Sequence, residues 1–358
     1  MAALLSRAWV ERGHEVILCP TFSGRGPLHY EIAEGVELSF LADLVPPGAG
    51  RGARLARLRA LIRDRRPDVV LSFLTNVNVA ALLATKASGV PVIVCERNHP
   101  PAESPPPSWR IRLLRRLLYR HASAVGCLTE PSRKWLAARL PGTPIVVLPN
   151  PVILPLPTGE PAIVPDSVLP AGRRVVLCAG RMLPRKRLIL AIEALGRIAV
   201  EHPDLDLVIL GEGPERARLE AAAAANGVAE RTHMPGFAGN LAEWYARAEM
   251  FLLPSAYEGF PMVLLEAMAQ GLPTVSFDVT TGPREMTDDG RRGLLLPDED
   301  HVTALAEAMA RLAADATLRR DMSAAALEVR EVYGMERILN RWDRLFAEVG
   351  ALDQTDAG

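Results

Sequence analysis

The stretch Met250-Phe-Leu-Leu-Pro-Ser-Ala-Tyr-Glu-Gly-Phe-Pro-Met-Val-Leu-Leu-Glu-Ala-Met-Ala-Gln-Gly-Leu-Pro-Thr-Val-Ser-Phe277 decides the fold class. An apolar run over 250–254 ends at a proline, a loop bearing Gly259 and Pro261 follows, and a helical pattern takes over and stops at Gly271. A second apolar run then fills 274–277. Strand, loop, helix and strand in that order form the unit of a parallel sheet, because parallel neighbours need a long crossover between them. Working outward, the same alternation fills the chain. Strands are predicted at 15–20, 36–41, 69–73, 92–96, 124–129 and 145–148, then at 175–179, 205–210 and 294–296. Helical patterns such as 51–65 and 109–121 lie between them. The expected fold class is α/β, with two doubly wound domains. Six prolines in 151–172 replace any periodic pattern there, so that stretch reads as a linker between domains 1–150 and 173–334. A last amphipathic stretch, 335–358, carries Trp342, Leu345 and Phe346 on one face and is expected to pack back across the hinge.

Composition narrows the classes. The 358 residues are 49% hydrophobic and 23% charged, which excludes disordered, collagenous and disulfide-scaffold chains and gives each half enough apolar residues for its own core. No apolar run reaches the ~18 residues of a spanning helix and no leader pattern opens the chain. A cytoplasmic protein is therefore expected. Cys19, Cys95, Cys127 and Cys178 sit in or beside apolar runs without paired spacing, and read as buried core residues. Residues 1–150 hold 20 Lys and Arg against 11 Asp and Glu, a balance of +9, and the remainder holds 21 against 31, a balance of −10. The first half is thus the one to face an anionic partner.

Four motifs carry chemistry. In the opening stretch, Glu258 lies in the loop and Glu266 on the helix two turns on, at nearly the same face. Spacing alone proves little: Glu pairs eight apart occur five times, and only the strand, loop and helix around Gly259 and Pro261 raise this pair above a solvated loop carboxylate. Cys178-Ala-Gly-Arg-Met-Leu-Pro-Arg-Lys-Arg187 puts a cationic loop after a strand, where Arg181 and Lys186 can converge on a diphosphate. Arg185 and Arg187 read as solvated charges beside them. Leu210-Gly-Glu-Gly-Pro-Glu215 is a glycine turn without the full dinucleotide fingerprint. Phe277-Asp-Val-Thr-Thr-Gly-Pro-Arg-Glu285 offers helix-start N–H groups to a phosphate or sugar, or is an ordinary helix start.

Together these motifs, over about 173–297, resemble the C-terminal domain of family-4 retaining glycosyltransferases of the GT-B architecture, in which two Rossmann-like domains face each other across a cleft. The first half is similar through Glu11-Arg-Gly-His-Glu-Val16, Arg66-Pro-Asp-Val-Val70 and Val147-Leu-Pro-Asn-Pro-Val152, and Glu96-Arg-Asn98 resembles members that build exopolysaccharide and lipid-linked glycans. The resemblance implies transfer from a nucleotide-diphosphate sugar, UDP before GDP, to a glycan or polyprenyl-pyrophosphate-linked acceptor. It implies Glu258 as the catalytic group at the sugar, Glu266 on the ribose diol, Arg181 and Lys186 on the diphosphate, and Gly259, Phe260, Pro261, Met262 and Val263 lining the donor. Arg97, Asn98 and His99 are carried over as acceptor or sugar contacts, His99 with an incidental reading beside the functional one. No metal or other cofactor is expected, since two cations do the work of a divalent ion. Asp204-Leu-Asp206 imitates a metal motif at a strand entrance and reads as structural.

Three questions stay open on sequence alone. The chain opens in a helical pattern, so the strand and glycine-rich loop that precede this helix in the family are missing: either the polypeptide starts upstream of Met1 or the domain is incomplete. The Trp109 to Arg120 segment interleaves five arginines with Leu and Ile, and reads equally as a helix on an anionic inner-membrane surface or as a core helix with an arginine-rich outer face. The proline cluster of 100–107 reads as an acceptor-side loop. No groove-reading motif supports a nucleic-acid partner. A non-catalytic nucleotide-sugar binder and a nucleotide-sugar epimerase are the rival functions, though no acid/base set for an epimerase is identifiable; a phosphorylase would need greater length and a cofactor lysine.

Overall fold

The computed structural model describes residues 1–21, 31–102 and 106–352. Its contacts divide the chain into two units, one of residues 1–150 with those from 338 on, the other of 151–337.

The second unit is built on a six-stranded parallel sheet. Its strands are β7 (Arg174–Ala179), β8 (Leu205–Leu210), β9 (Thr232–Gly236), β10 (Met250–Leu253), β11 (Thr274–Phe277) and β12 (Leu294–Leu296), in the order β12-β11-β10-β7-β8-β9. Strands β8, β10 and β11 are buried at every position, the continuous burial of strands covered on both faces. Helix Ile189–Ile198 and helix His301–Ala314 supply much of that cover, through Ala191, Ile192, Leu195, Leu305, Met309 and Leu312. Sequence reading missed β9, Thr-His-Met-Pro-Gly, which has no apolar run. It is an edge strand, the one place where Pro235, lacking an N–H, is tolerated in a sheet.

Residues 151–172, expected as a linker, lie against this unit. The Asn240 side chain clasps Ile163, accepting from its N–H at 2.9 Å and donating to its carbonyl at 3.0 Å, and Val152 N–H reaches Tyr333 O at 2.8 Å.

In the first unit the strands fall into two parallel sheets. One pairs β1 (Val16–Leu18) with β2 (Val36–Leu38); the other runs β3 (Val70–Phe73), β4 (Val92–Cys95), β5 (Ala124–Cys127), β6 (Ile145–Val147) in that order. Strands β4 and β5 are wholly buried, whereas β1 and β3 are half-exposed, as edges are. Helix Met335–Glu348 returns to this unit because Ile338, Leu339, Trp342, Leu345 and Phe346 share one buried face. Trp342 meets Trp9 edge-on at 5.5 Å, Phe346 lies 5.7 Å from the same ring, and Arg12 bonds Asp343. Of the proline cluster at 100–107, residues 103–105 lie outside the described residues.

Candidate active site

Four loops meet at the carboxyl ends of β7, β8, β10 and β11, where open parallel sheets present their ligand sites. The loops after β7 and β8 meet backbone to backbone. Gly211 has φ +131° and a Cβ there would lie 2.1 Å from Gly180 O; one on Gly213 would lie 2.4 Å from Met182 O. Met182 N–H donates to Glu212 O at 2.8 Å across this contact. The glycine turn that reads weakly as a nucleotide motif therefore has a firm local role in seating the cationic loop.

That loop places Lys186 Nζ 2.6 Å from Glu258 Oε1, with both side chains largely buried. Ser255 Oγ donates to the same oxygen at 2.6 Å. The loop after β11 holds the carboxylate's backbone: Thr281 N–H donates to Glu258 O at 2.8 Å, and Thr281 Oγ1 to Gly259 O at 2.8 Å. Three of the four sequence motifs thus converge on one carboxylate, and Ser255, which sequence reading left out, completes its surroundings. Its signal was only its place three residues before Glu258.

Arg187 corrects the expectation of a solvated charge. It donates to Pro254 O at 3.1 Å and Ser255 O at 2.8 Å, pairs with Asp298 at 2.9 Å, meets His301 Nε2 at 2.9 Å, and lies over the Phe277 ring. It does so from a left-handed backbone, φ +46°, a conformation that costs a non-glycine residue on the order of 1 kcal/mol. Charge-assisted bonds to two carbonyls of the neighbouring loop offset that. Arg185 stays exposed, lying 5.8 Å from the Tyr257 ring, while its carbonyl accepts from Ala256 N–H at 2.8 Å. Arg181 is exposed directly after Gly180.

Glu266 sits in the second turn of helix Met262–Ala269. Burial pushes its carboxyl up to about 7, opposed by the Tyr245 hydroxyl, which donates to Oε2 at 3.3 Å and reaches Val263 O at 3.2 Å. Tyr245 is 2% exposed and was not singled out in the sequence. Of the expected donor lining, Pro261 caps this helix and Met262 and Val263 form its half-buried first turn. Phe260 is buried with its ring 5.7 Å from Tyr333, so its backbone is what it offers a ligand.

Arg97, Asn98 and His99 follow β4 in the first unit. Arg97 bonds Asn150 and lies over the Phe73 ring at 5.3 Å, with burial lowering its pKa. Asn98 is exposed. His99 is buried, its Nδ1 2.9 Å from Ser132 Oγ, and burial lowers its pKa, which favours the neutral ring. The preceding Glu96 is 1% exposed and accepts from Tyr119 at 2.6 Å and Thr75 at 2.9 Å. Asp206 is held by Arg173 at 2.5 Å and His233 at 2.9 Å, and Asp204 by Arg174 at 3.4 Å. At the entrance of β8 both carboxylates are thus paired with basic side chains. Among the described residues, no three His, Cys, Asp or Glu side chains gather to hold a metal, and no helix is long and apolar enough to cross a membrane.

Two family models match the chain, "Glycosyl transferase 4-like domain" over residues 1–151 and "Glycosyl transferases group 1" over 160–329. Exopolysaccharide phosphotransferase SCO2592 of Streptomyces coelicolor is 33% identical over 75% of this chain and 28% of its own length. The Campylobacter jejuni alpha-1,4-N-acetyl-D-galactosaminyltransferase named for a diNAcBac-PP-undecaprenol substrate is 25% identical over 94% of this chain and 91% of its own. The chain spans 28%, 35% and 52% of the first three curated relatives it matches. Among solved structures, sucrose-phosphate synthase from Thermosynechococcus elongatus superposes with a TM-score of 0.79 at 20% identity, covering 97% of this chain and 92% of that one. Anabaena Alr3699/HepE in complex with UDP gives 0.73 at 19%, covering 87% and 86%. The fold is that of the GT-B enzymes, two Rossmann-like α/β domains, and by the two domain models that match it in succession the chain belongs to the glycosyltransferases.

Proposed function

We propose that the protein moves a glycosyl group from a nucleotide-diphosphate sugar, a UDP-sugar before a GDP-sugar, to a glycan or lipid-linked glycan acceptor in cell-surface polysaccharide synthesis, with retention of anomeric configuration. The observation that carries the reading is the Lys186–Glu258 pair at 2.6 Å at the carboxyl ends of the parallel strands. A cation for the departing diphosphate stands beside a carboxylate for the sugar, and each holds the other in place until a donor arrives. Lys186 and Arg181 then meet the charge that develops as the glycosidic bond breaks. Glu258 hydrogen-bonds the sugar hydroxyls and stabilises the cationic transition state. Glu266 accepts from the ribose diol, which suits a carboxylate's two oxygens. The acceptor hydroxyl attacks on the face the diphosphate leaves, and its proton passes to that phosphate, so no covalent glycosyl-enzyme forms. Arg97, Asn98 and His99 serve the acceptor or sugar hydroxyls, and no divalent metal or other cofactor enters these steps.

The HepE structure in complex with UDP supports the choice of base, and the names of the Streptomyces and Campylobacter relatives support an exopolysaccharide or undecaprenol-linked acceptor. With such an acceptor, the location that goes with this reading is the cytoplasm, at the inner membrane face. The test is release of nucleotide diphosphate from a panel of UDP- and GDP-hexoses and N-acetylhexosamines without acceptor. One donor should be hydrolysed by the wild-type protein and not by Glu258→Ala, which should still bind the nucleotide. Wild-type turnover in the variant sinks the assignment of Glu258.

A further inference from the structure

Helix Trp109–Leu118 has three lines of side chains, and the structure fixes which of them faces out. Leu114 and Leu118 pack on the core beneath it. Arg115 also points inward: it is 8% exposed, lies 3.8 Å from the Glu96 carboxylate and sits over the Trp135 ring. The outer line is apolar. Trp109, Leu113 and Leu117, at i, i+4 and i+8, are 63%, 48% and 42% exposed. Beside it, Arg112, Arg116 and Arg120 form a parallel exposed line at the same spacing, with Arg110 exposed at the helix start. No Asp or Glu occurs in the sequence between Glu103 and Glu130.

Neither line alone would mean much. An arginine-rich face is ordinary solvated surface, and single exposed leucines are common. A tryptophan and two leucines in register beside four exposed arginines are the two halves of an interfacial helix, an apolar edge for the acyl boundary and cations for lipid phosphates. We propose that this helix docks the protein on an anionic phospholipid bilayer, Trp109, Leu113 and Leu117 entering the headgroup region and Arg110, Arg112, Arg116 and Arg120 meeting the phosphates. The inner side of the helix gives the docking a purpose. Arg115 and the following Tyr119 grip Glu96, which immediately precedes Arg97-Asn98-His99. The candidate acceptor contacts are thereby held at a set place relative to the lipid surface. This purpose rests on the transferase reading; the docking does not.

The test is co-sedimentation of the full chain with phosphatidylcholine vesicles, with and without phosphatidylglycerol, alongside donor hydrolysis without vesicles. Binding should require phosphatidylglycerol and fall with salt, as screening of exposed charges demands. The triple variant R112A/R116A/R120A should bind on the order of 100-fold more weakly, since each surface arginine contributes about fivefold. L113S/L117S should weaken binding even at low salt. Brominated lipid should quench tryptophan fluorescence in the wild type, and Trp109→Phe should abolish that quenching, because Trp109 is the exposed tryptophan. All of these variants should keep wild-type donor hydrolysis. Equal binding to neutral vesicles, wild-type binding by the triple variant, or a self-association abolished by L113S/L117S in place of vesicle binding overturns the proposal. Vesicle binding without hydrolysis of any donor instead defeats the transferase reading and leaves the docking intact.

Discussion

Glu266→Gln isolates what the second unit gives up to keep a carboxylate at its site. Burial lifts this carboxyl from its ordinary value of 4.5 to about 7, against the pull of the Tyr245 hydroxyl. The folded protein therefore keeps the proton to a higher pH than the unfolded chain does. The stability this lends is full below about 4.5 and is lost as pH rises through about 7. At about 1.4 kcal/mol per pH unit, the loss amounts to roughly 3 kcal/mol once both states are ionised. Glutamine cannot ionise and escapes it. Urea unfolding of the two proteins at about pH 5 and about pH 8 should show the variant gaining roughly 2 to 3 kcal/mol on the wild type between the two conditions. Nucleotide binding should move the other way: wild-type affinity rises with pH towards a plateau above about 7, and the variant's is weak and flat. A stability difference that is the same at both pH values would refute the reasoning, since it would mean that the buried carboxylate ionises at no cost.

Other outcomes follow from contacts already described. Lys186→Ala should weaken UDP binding by ten- to a hundredfold, about 1.5–3 kcal/mol for a charge-assisted contact; unchanged affinity in a calorimetric titration removes Lys186 from the diphosphate. Arg187→Gly relieves the left-handed backbone yet unties the cationic loop from Pro254 and Ser255, so kcat should fall and KM rise while thermal stability changes little. Trp342→Ala should destabilise the first unit by about 3–5 kcal/mol, the usual range for emptying a buried aromatic site, and this is read from its hydrogen-exchange protection against that of the second unit.

Sequence legibility was uneven for physical reasons. Buried parallel strands are runs of Val, Ile and Leu, so β7, β8, β10 and β11 stood out, whereas β9 is held by its neighbour and by an edge position that excuses Pro235. At the site, Glu258 and Lys186 could be placed in one region because each closes a strand in a glycine-bearing loop. Ser255, Tyr245 and Arg187 could not, since their roles depend on which backbone carbonyl or carboxylate the fold brings opposite them. The helix at 109–118 shows both sides of the matter. Its amphipathic period is plain in the sequence, but only packing could tell that Arg115 turns in towards Glu96 while Trp109 turns out.

The return of the last helix to the first unit sets the order in which that unit can be completed. Trp9 belongs to the segment of the first unit that is synthesised before Asn150, and its partner Trp342 follows only after about 190 further residues of the second unit. At roughly 5–20 residues per second, that is a wait of about 10 to 40 s on the ribosome. Throughout it the apolar seat of the closing helix stands uncovered and open to chaperones, proteases and other nascent chains. Premature termination just beyond residue 337 would therefore spare the second unit and strand the first, and the abundance of the protein in a cell should be set by how well the Trp9 segment is shielded until the Trp342 helix arrives.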